Sequence, residues 1–549
     1  VVQLSATQLD FGAVATHTSV TRQVLLSNTG NGTLLLSPPA VTGDAAFTAG
    51  ITSCGATVQP GADCLTEVSF APLDTGPMTG TLSFPSNAAH SPQQVTLQGS
   101  GYNPVSLTAA QLPSAYLGKP YAAYDFKPLL KVSNEQTPDK VLASWSVTGT
   151  LPAGLALSAD GVLSGTPTAL TAEAGAPFTL VATYRENIGQ QAYTIQVGQA
   201  RLQATQLVSG NKFSCALTSA GGVKCWGKGT SGQLGNGASV DSTGPVDVQG
   251  LTSGVSALAA GSAHMCAVTT AGAVKCWGAN NNGQLGNGKL VASAIPVAVT
   301  GLTLGIVNVA VGVNHSCALT SAGGVKCWGQ NYWYQAGTGS STSYLPSPVS
   351  VSGLASGVAQ ISAGDYHTCA AMSAGGAKCW GRNENGELGA GNTYNLTTPA
   401  DVANLTGSLT SISAKGAHTC VVTSAGAASC WGTNSSGELG VGRTYANTTY
   451  PVAVSGLGAG VAAVAAGGNH TCATLGGGAV KCWGANNAGQ LGTGAASTTP
   501  GLLPADVAGL PNGATVLAGG TYHTCAVSAG TVKCWGDING QTLPADVLE

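Results

Sequence analysis

The segment Gly261-Ser-Ala-His264-Met-Cys266, continuing to Val274-Lys-Cys276-Trp277-Gly278, recurs along the chain. Its first cysteine falls at Cys215, Cys266, Cys317, Cys369, Cys420, Cys472 and Cys525, at intervals of 51 to 53 residues. Each copy closes on Cys-Trp-Gly, with tryptophans at Trp226, Trp277, Trp328, Trp380, Trp431, Trp483 and Trp535. Most copies continue into a loop such as Asn280-Asn-Asn-Gly283-Gln-Leu-Gly and then a Pro296-Val297 strand signal. Each unit reads as four short strands joined by Gly/Asn turns. A period near 50 residues with four strands per unit is the signature of propeller blades, and seven units predict seven blades. No unit carries the sustained 3.6-residue periodicity of a helix. Unit one lacks a preceding Pro-Val strand, and Leu543-Pro-Ala-Asp-Val547 supplies one. This C-terminal strand is expected to complete the first blade and close the ring, removing two exposed edges.

Six units hold Cys-x9-Cys, and the last holds Cys525-x8-Cys534. Folded as hairpins, Cys215 opposes Cys225 around a three-residue turn and Cys525 opposes Cys534 around a two-residue turn. The turn loses one residue and the cysteines stay opposed, within disulfide reach. The predicted pairs are Cys215–Cys225, Cys266–Cys276, Cys317–Cys327, Cys369–Cys379, Cys420–Cys430, Cys472–Cys482 and Cys525–Cys534, with Cys54–Cys64 as the eighth. Such cysteine use predicts an oxidising compartment, extracellular or cell-surface. The chain begins Val1-Val2, from which removal of a signal peptide is expected. Zinc binding by His-x-Cys-x9-Cys is the weaker reading, since unit one has Phe213 in place of the histidine. No metal and no cofactor is predicted. The histidines are expected to bond backbone carbonyls at blade turns, and the tryptophans to pack between blades.

Charged residues are 7% of the chain and the net charge is −3, which gives no reason to expect nucleic acid as a partner. The apolar runs are too short for a transmembrane helix. The repeat resembles the regulator-of-chromosome-condensation family of seven-bladed propellers, through Gly-x-x-His-Thr/Ser-Cys-Ala, Gly-x-Val-Lys-Cys-Trp-Gly and Asn-x-x-Gly-Gln/Glu-Leu-Gly over residues 200–549. The resemblance implies the fold. The family's eukaryotic founder is a nuclear exchange factor that binds chromatin. Fourteen cysteines and a near-neutral 13 Lys/Arg against 11 Asp/Glu in this segment argue against that role here, and point to bacterial secreted relatives.

Residues 1–101 show short alternating strands between turns, among them Leu9-Asp-Phe11-Gly12, Val24-Leu-Leu26 and Val68-Ser-Phe70. They predict an immunoglobulin-like β-sandwich and resemble the choice-of-anchor-D modules of bacterial surface proteins. Residues 102–199, with Leu151-Pro-Ala-Gly154, Gly161-Val-Leu163-Ser-Gly165-Thr-Pro167 and a core Trp145, resemble the putative-Ig modules. Their acids are isolated, with no dense cluster for calcium. The predicted architecture is all-β: sandwiches at 1–101 and 102–199, then a propeller at 200–549. A short junction suggests a semi-rigid stalk carrying a head.

Function is read from where the repeat breaks. In unit three the loop becomes Asn331-Tyr332-Trp333-Tyr334-Gln335. Three consecutive aromatics cannot all face a core, and aromatics anchor protein partners and sugar rings. Tyr332, Trp333 and Tyr334, with Tyr344, Tyr394, Tyr445 and Tyr450 in the following loops, are the candidate ligand-binding residues. Glu384, Glu387 and Glu438 are read as solvated loop acids. No nucleophile elbow, zinc-protease or phosphate-loop motif occurs, so no catalytic residue is predicted. The leading reading is an adhesion or binding protein for a cell-surface protein or glycan. The alternatives are a structural subunit of a filament, pilus, sheath or virion, contacting neighbouring subunits, and a secreted protein inhibitor.

Overall fold

The computed structural model describes residues 1–133, 143–184, 187–444, 447–510 and 512–549. The chain divides into two compact units, Val1–Ala200 and Arg201–Glu549. Strands make up both, and the helical content among the described residues is one 3-10 turn at Lys127–Leu129.

The first unit begins with two four-stranded sheets. One orders Val2–Leu4, Val20–Asn28, Asp63–Phe70 and Phe47–Thr52, and the other Gln8–Ala15, Gln93–Tyr102, Gly76–Phe84 and Ala40–Gly43. Strand Asp63–Phe70 alternates buried with partly exposed residues, so one face meets the opposite sheet. Phe11, Phe47 and Phe70 form the centre, with ring centroids 4.6 to 5.7 Å apart. The second half of this unit packs a three-stranded sheet, Ser144–Gly149, Ala176–Tyr184 and Asn187–Ile195, around a core of Trp145, Phe126, Phe178 and Tyr193.

The second unit holds seven four-stranded sheets, the blades, at 206–247, 255–298, 306–350, 358–401, 409–453, 461–506 and 514–546. In blade two the strands run Val255–Ala260, His264–Thr269, Val274–Gly278 and Ser293–Ala298. The first strands of all seven blades line a common channel, from Leu207–Ser209 around to Leu517–Gly519. The second and third strands form the cysteine hairpin. Cys215 faces Cys225 and Cys525 faces Cys534 across it. The last hairpin turns on Ala529-Gly530, both at positive φ, the geometry of a two-residue type I′ turn. All sixteen cysteines are bonded, in eight disulfides that each join successive cysteines, Cys54–Cys64 in the first sandwich and one pair in every blade. Closing a ten-residue loop is worth about 2.5 kcal/mol by chain entropy.

The C-terminal strand does not complete the first blade. Gln541–Asp546 pairs with Thr531–Gly536 as the fourth strand of blade seven, and blade one has its own fourth strand, Ser242–Asp247. The Pro-Val strand bonds the Cys-Trp-Gly strand that precedes it, as Cys276 and Val297 do, so each blade is continuous in sequence. The two ends of the propeller meet one step later. In blade one, Leu251 carbonyl accepts from the Val223 amide, just after Val248 has donated back to Val223. In blade seven, Val547 donates to Val532, but the carbonyl that accepts from the Val532 amide belongs to Leu202. Leu202 also donates to Val547, and Arg201 pairs with Leu548. The residue that elsewhere links one blade to the next is here supplied by the start of the propeller. Leu202 is fully buried in a cluster with Trp226, Val527 and Val532. Leu202→Ala is expected to destabilise the propeller by about 2–4 kcal/mol. A lower urea midpoint at unchanged slope is the readout.

Candidate functional site

Neighbouring blades are joined by a repeated polar node. Between blades two and three, His264 Nε2 lies 2.9 Å from Ser316 Oγ, and Ser316 Oγ donates to the Gln284 carbonyl at 3.0 Å. Trp328 Nε1 donates to the same carbonyl at 2.9 Å. The hydroxyl proton is committed to the carbonyl, so the hydroxyl accepts from the imidazole and Nε2 carries the ring proton. Nδ1 is then bare, and it has no partner in five of the six rings. The pattern continues as His315 to Thr368, His367 to Thr419, His418 to Thr471 and His470 to Thr524, and His523 reaches Ser214 of blade one. The histidines therefore bond the next blade's hydroxyl, not a backbone carbonyl of their own turn. The exception is instructive. Phe213 stands in the histidine position of blade one, and the hydroxyl position opposite it in blade two is Met265. Both are fully buried in one apolar cluster. Exchanging both partners for apolar groups leaves no buried polar atom unsatisfied.

The loop that supplies the carbonyl is rigid. Asn280 Oδ1 accepts from the Leu285 amide and its Nδ2 donates to the Lys289 and Val291 carbonyls. Gln284 Oε1 accepts from the Asn282 amide at 2.8 Å. Glu387 and Glu438 take this glutamine position in blades four and five and accept from Asn385 and Ser436. They are buried, at 1% and 0% exposure, and not solvated. Glu384 alone of the three is exposed. Each loop also leans on the next blade: Gly339 donates to the Thr397 carbonyl and Gly391 to the Thr449 carbonyl. Loops of blades three, four and five thus lie side by side.

On this frame stand the aromatic candidates. Tyr332 is 63% exposed and meets Trp333 edge-on at 5.0 Å, while Trp333 and Tyr334 are half-buried. Tyr344 is 45% and Tyr394 76% exposed. Tyr450 is exposed and its hydroxyl rests on the Gly391 carbonyl. Tyr445 lies outside the described residues. Tyr334 has φ +64°, where blades one, two, four, five and six place glycine. At Gly283 a Cβ would stand 2.6 Å from Pro346 Cα of the next blade. Blade three carries an aromatic side chain in a left-handed conformation, a strained choice for a bulky residue.

The channel opens on the same side. His264 pairs with Gly278, so the turn before the histidine and the loop after Cys-Trp-Gly leave the blade at one end. The mouth is a cavity of about 270 Å3 lined by Asn211, Ser262, Val313, Asp365, Tyr366, Lys415 and neighbours. Among the described residues no group of three or more His, Cys, Asp or Glu is placed to hold a metal ion.

Residues 171–473, more than half of the chain, match the RCC1-like domain. The chain belongs to the RCC1-like domain family. Residues 461–490 and 478–527 match the regulator of chromosome condensation (RCC1) repeat, 2–94 the ASPM-SPD-2-Hydin (ASH) domain, and 103–198 the putative Ig domain. The ultraviolet-B receptor UVR8 of Arabidopsis thaliana is 33% identical over 277 residues, which is 50% of this chain and 62% of that protein. Human E3 ubiquitin-protein ligase HERC2 is 32% identical over 336 residues, 59% of this chain and 7% of that protein. The chain spans less than two thirds of either relative. Yeast RCC1 (Prp20), solved bound to Kap60, superposes with a TM-score of 0.53 at 20% identity, over 64% of this chain and 85% of that one. Human WBSCR16 superposes with a TM-score of 0.52 at 21% identity, over 60% and 94%. At these identities the likeness is one of fold.

Within the RCC1-like repeat, one departure escaped the reading by motif. Lys415 occupies the position that is Gly210, Gly261, Gly312, Gly364, Gly467 and Gly520 in the other blades. At Gly364 a Cβ would stand 2.0 Å from the His367 ring. Blade five avoids this by extending its first strand to Lys415, which pairs with His418 around Gly416-Ala417. Aligning the seven copies column by column exposes the change.

Two outcomes follow from the node and the loop. Burial holds the imidazoles of His264, His315, His367, His470 and His523 down at about 3, and His418 at about 4. Unfolded histidine titrates near 6.5, so below that pH the unfolded chain binds more protons than the folded one. Their stabilisation is full above about pH 6.5 and declines as pH falls toward 3. Urea midpoints measured from pH 7 to 4 should fall, and His470→Phe with Thr524→Met, the apolar pair of the first junction, should make the decline shallower. Tyr334→Gly should raise stability by about 1 kcal/mol through relief of the left-handed strain, read as a higher melting temperature.

Proposed function

We propose that this chain is an extracellular or cell-surface binding protein, whose propeller recognises a protein or glycan partner through the aromatic side chains of blades three to five. The observation that carries the reading is Tyr334. The loop position that is glycine in blades one, two, four, five and six, where a Cβ would fall within 3 Å of the next blade, here holds the last of three consecutive aromatics, at a cost in backbone strain. Strain of this kind concentrates at binding sites. Tyr332, Trp333, Tyr344, Tyr394 and Tyr450 extend the surface over adjacent loops that are hydrogen-bonded into a rigid support. Rigid aromatic anchors bind with little loss of side-chain freedom. Eight disulfides, with no free cysteine, support an oxidising location. Among the described residues no helix is long and apolar enough to cross a membrane.

The test is a binding screen of the non-reduced protein against a glycan panel and whole cells, preceded by light scattering to establish its mass. A monomer that binds, and whose affinity drops at least tenfold on Trp333→Ala with an unchanged melting temperature, is the expected result. Binding that is indifferent to Trp333→Ala and Tyr394→Ala overturns the assignment of the surface. Concentration-dependent polymers without a ligand overturn the adhesion reading in favour of an assembly subunit.

A further inference from the structure

The mouth of the channel holds two opposite charges that do not meet. Lys415 reaches from blade five across to blade one, where its ammonium donates to the Ser209 carbonyl. Asp365 of blade four is held by the Gly416 backbone and attracts Lys415 without closing to an ion pair. Asn211 of blade one turns its Oδ1 into the same cavity, where that atom is buried and has no partner. Arg382 lies 5.5 Å over the Tyr366 ring, pairs with Glu384 and Glu387 at 3.4 and 3.2 Å, and also attracts the Asp365 carboxyl. The cavity therefore presents one ammonium and one carboxylate that attract each other without forming an ion pair, and one amide oxygen with no partner.

Burial pushes the Lys415 amine down to about 8 and the Asp365 carboxyl up. Desolvation is the largest cause of both shifts; Lys415 and Arg382 draw the Asp365 carboxyl back down, and Asp365 draws the Lys415 amine back up. Two such groups normally pair with each other. Here Lys415 is tied to the Ser209 backbone of blade one and Asp365 to the Gly416 backbone of blade five, and both line the same cavity. A lone anion would satisfy Lys415 but face Asp365, and a lone cation would meet the reverse. A molecule carrying both signs satisfies both.

We propose that the channel mouth is a binding site for a small zwitterion of the amino-acid class. Its carboxylate is held by Lys415 Nζ, and its ammonium by Asp365 and Asn211 Oδ1. The site is separate from the aromatic surface and does not rest on it. A cavity of about 270 Å3 lies just under the roughly 300–1,000 Å3 typical of ligand pockets, which limits the ligand to a few heavy atoms.

The experiment is calorimetric titration of the full, non-reduced chain with glycine, β-alanine and γ-aminobutyrate, zwitterions of increasing span, and with acetate and methylammonium as single-charge controls. Saturable one-to-one binding of at least one zwitterion is expected, at least tenfold tighter than either control. Lys415→Gly restores the residue that the other blades carry, so the fold is retained, and it should abolish binding. Asp365→Asn should weaken binding at least tenfold, with a melting curve on each variant to confirm folding. Failure of every zwitterion to saturate by 10 mM overturns the proposal. So does equal binding by Lys415→Gly, or binding of acetate as tight as that of the zwitterions.

Discussion

Five of the seven blade junctions turn on one loop carbonyl. The Gln284 carbonyl, and its counterparts at Gln335, Glu387, Glu438 and Gln490, accepts both an indole N–H and a hydroxyl from the following blade. That double acceptance orients the hydroxyl, and the hydroxyl orients the histidine. Every member is fully or nearly fully buried, so each bond is made in a medium where leaving it unmade costs about 1–3 kcal/mol. The Asn-x-x-Gly-Gln-Leu-Gly loop is therefore not a surface connection. Its asparagine and glutamine side chains exist to hold one main-chain oxygen in place, and the tryptophan packs where it does because that oxygen is there.

A frame so tightly specified makes its own exceptions conspicuous. Phe213 with Met265 is an exception that keeps the junction intact, because both polar partners are withdrawn together. Tyr334 and Lys415 are exceptions of another kind. Each puts a large side chain where the repeat demands glycine, and each is accommodated by a local change in backbone, a left-handed residue in one case and a lengthened strand in the other. Both stand at one end of the molecule's second unit, one on an outer loop and one at the channel.

The blades were legible because the repeat states its own period, and because a hairpin that loses one turn residue while keeping its cysteines opposed has few alternatives. The order of strands within a blade was less so. A Pro-Val strand between two cysteine hairpins pairs equally well, on paper, with either, and only the bond from Cys276 to Val297 shows that it belongs to the hairpin before it. The missing strand of unit one was therefore a matter of where counting began. The histidine was read correctly as structural and given the wrong partner, since its hydroxyl lies 50-odd residues away in the next copy, adjacent to a cysteine that drew the attention. Glu387 and Glu438 misled through chemistry: a carboxylate in a polar loop suggests solvent, yet here it replaces a buried glutamine that accepts from a backbone amide. Lys415 stands at the first position of Gly-x-x-His, where this copy alone departs from glycine, and a motif read from its cysteines and histidine passes over that departure.

Each junction has a direction. A blade presents its imidazole and its carbonyl to the blade made after it, so during synthesis from the N-terminus its buried polar groups wait for the next fifty residues to emerge. The disulfides do not wait, because each closes between consecutive cysteines inside one hairpin, so oxidation can proceed blade by blade. From His264 to His470 the satisfaction of polar groups keeps step with the emergence of the chain. His523 breaks step: the last imidazole to be made finds its hydroxyl on Ser214, in the first blade.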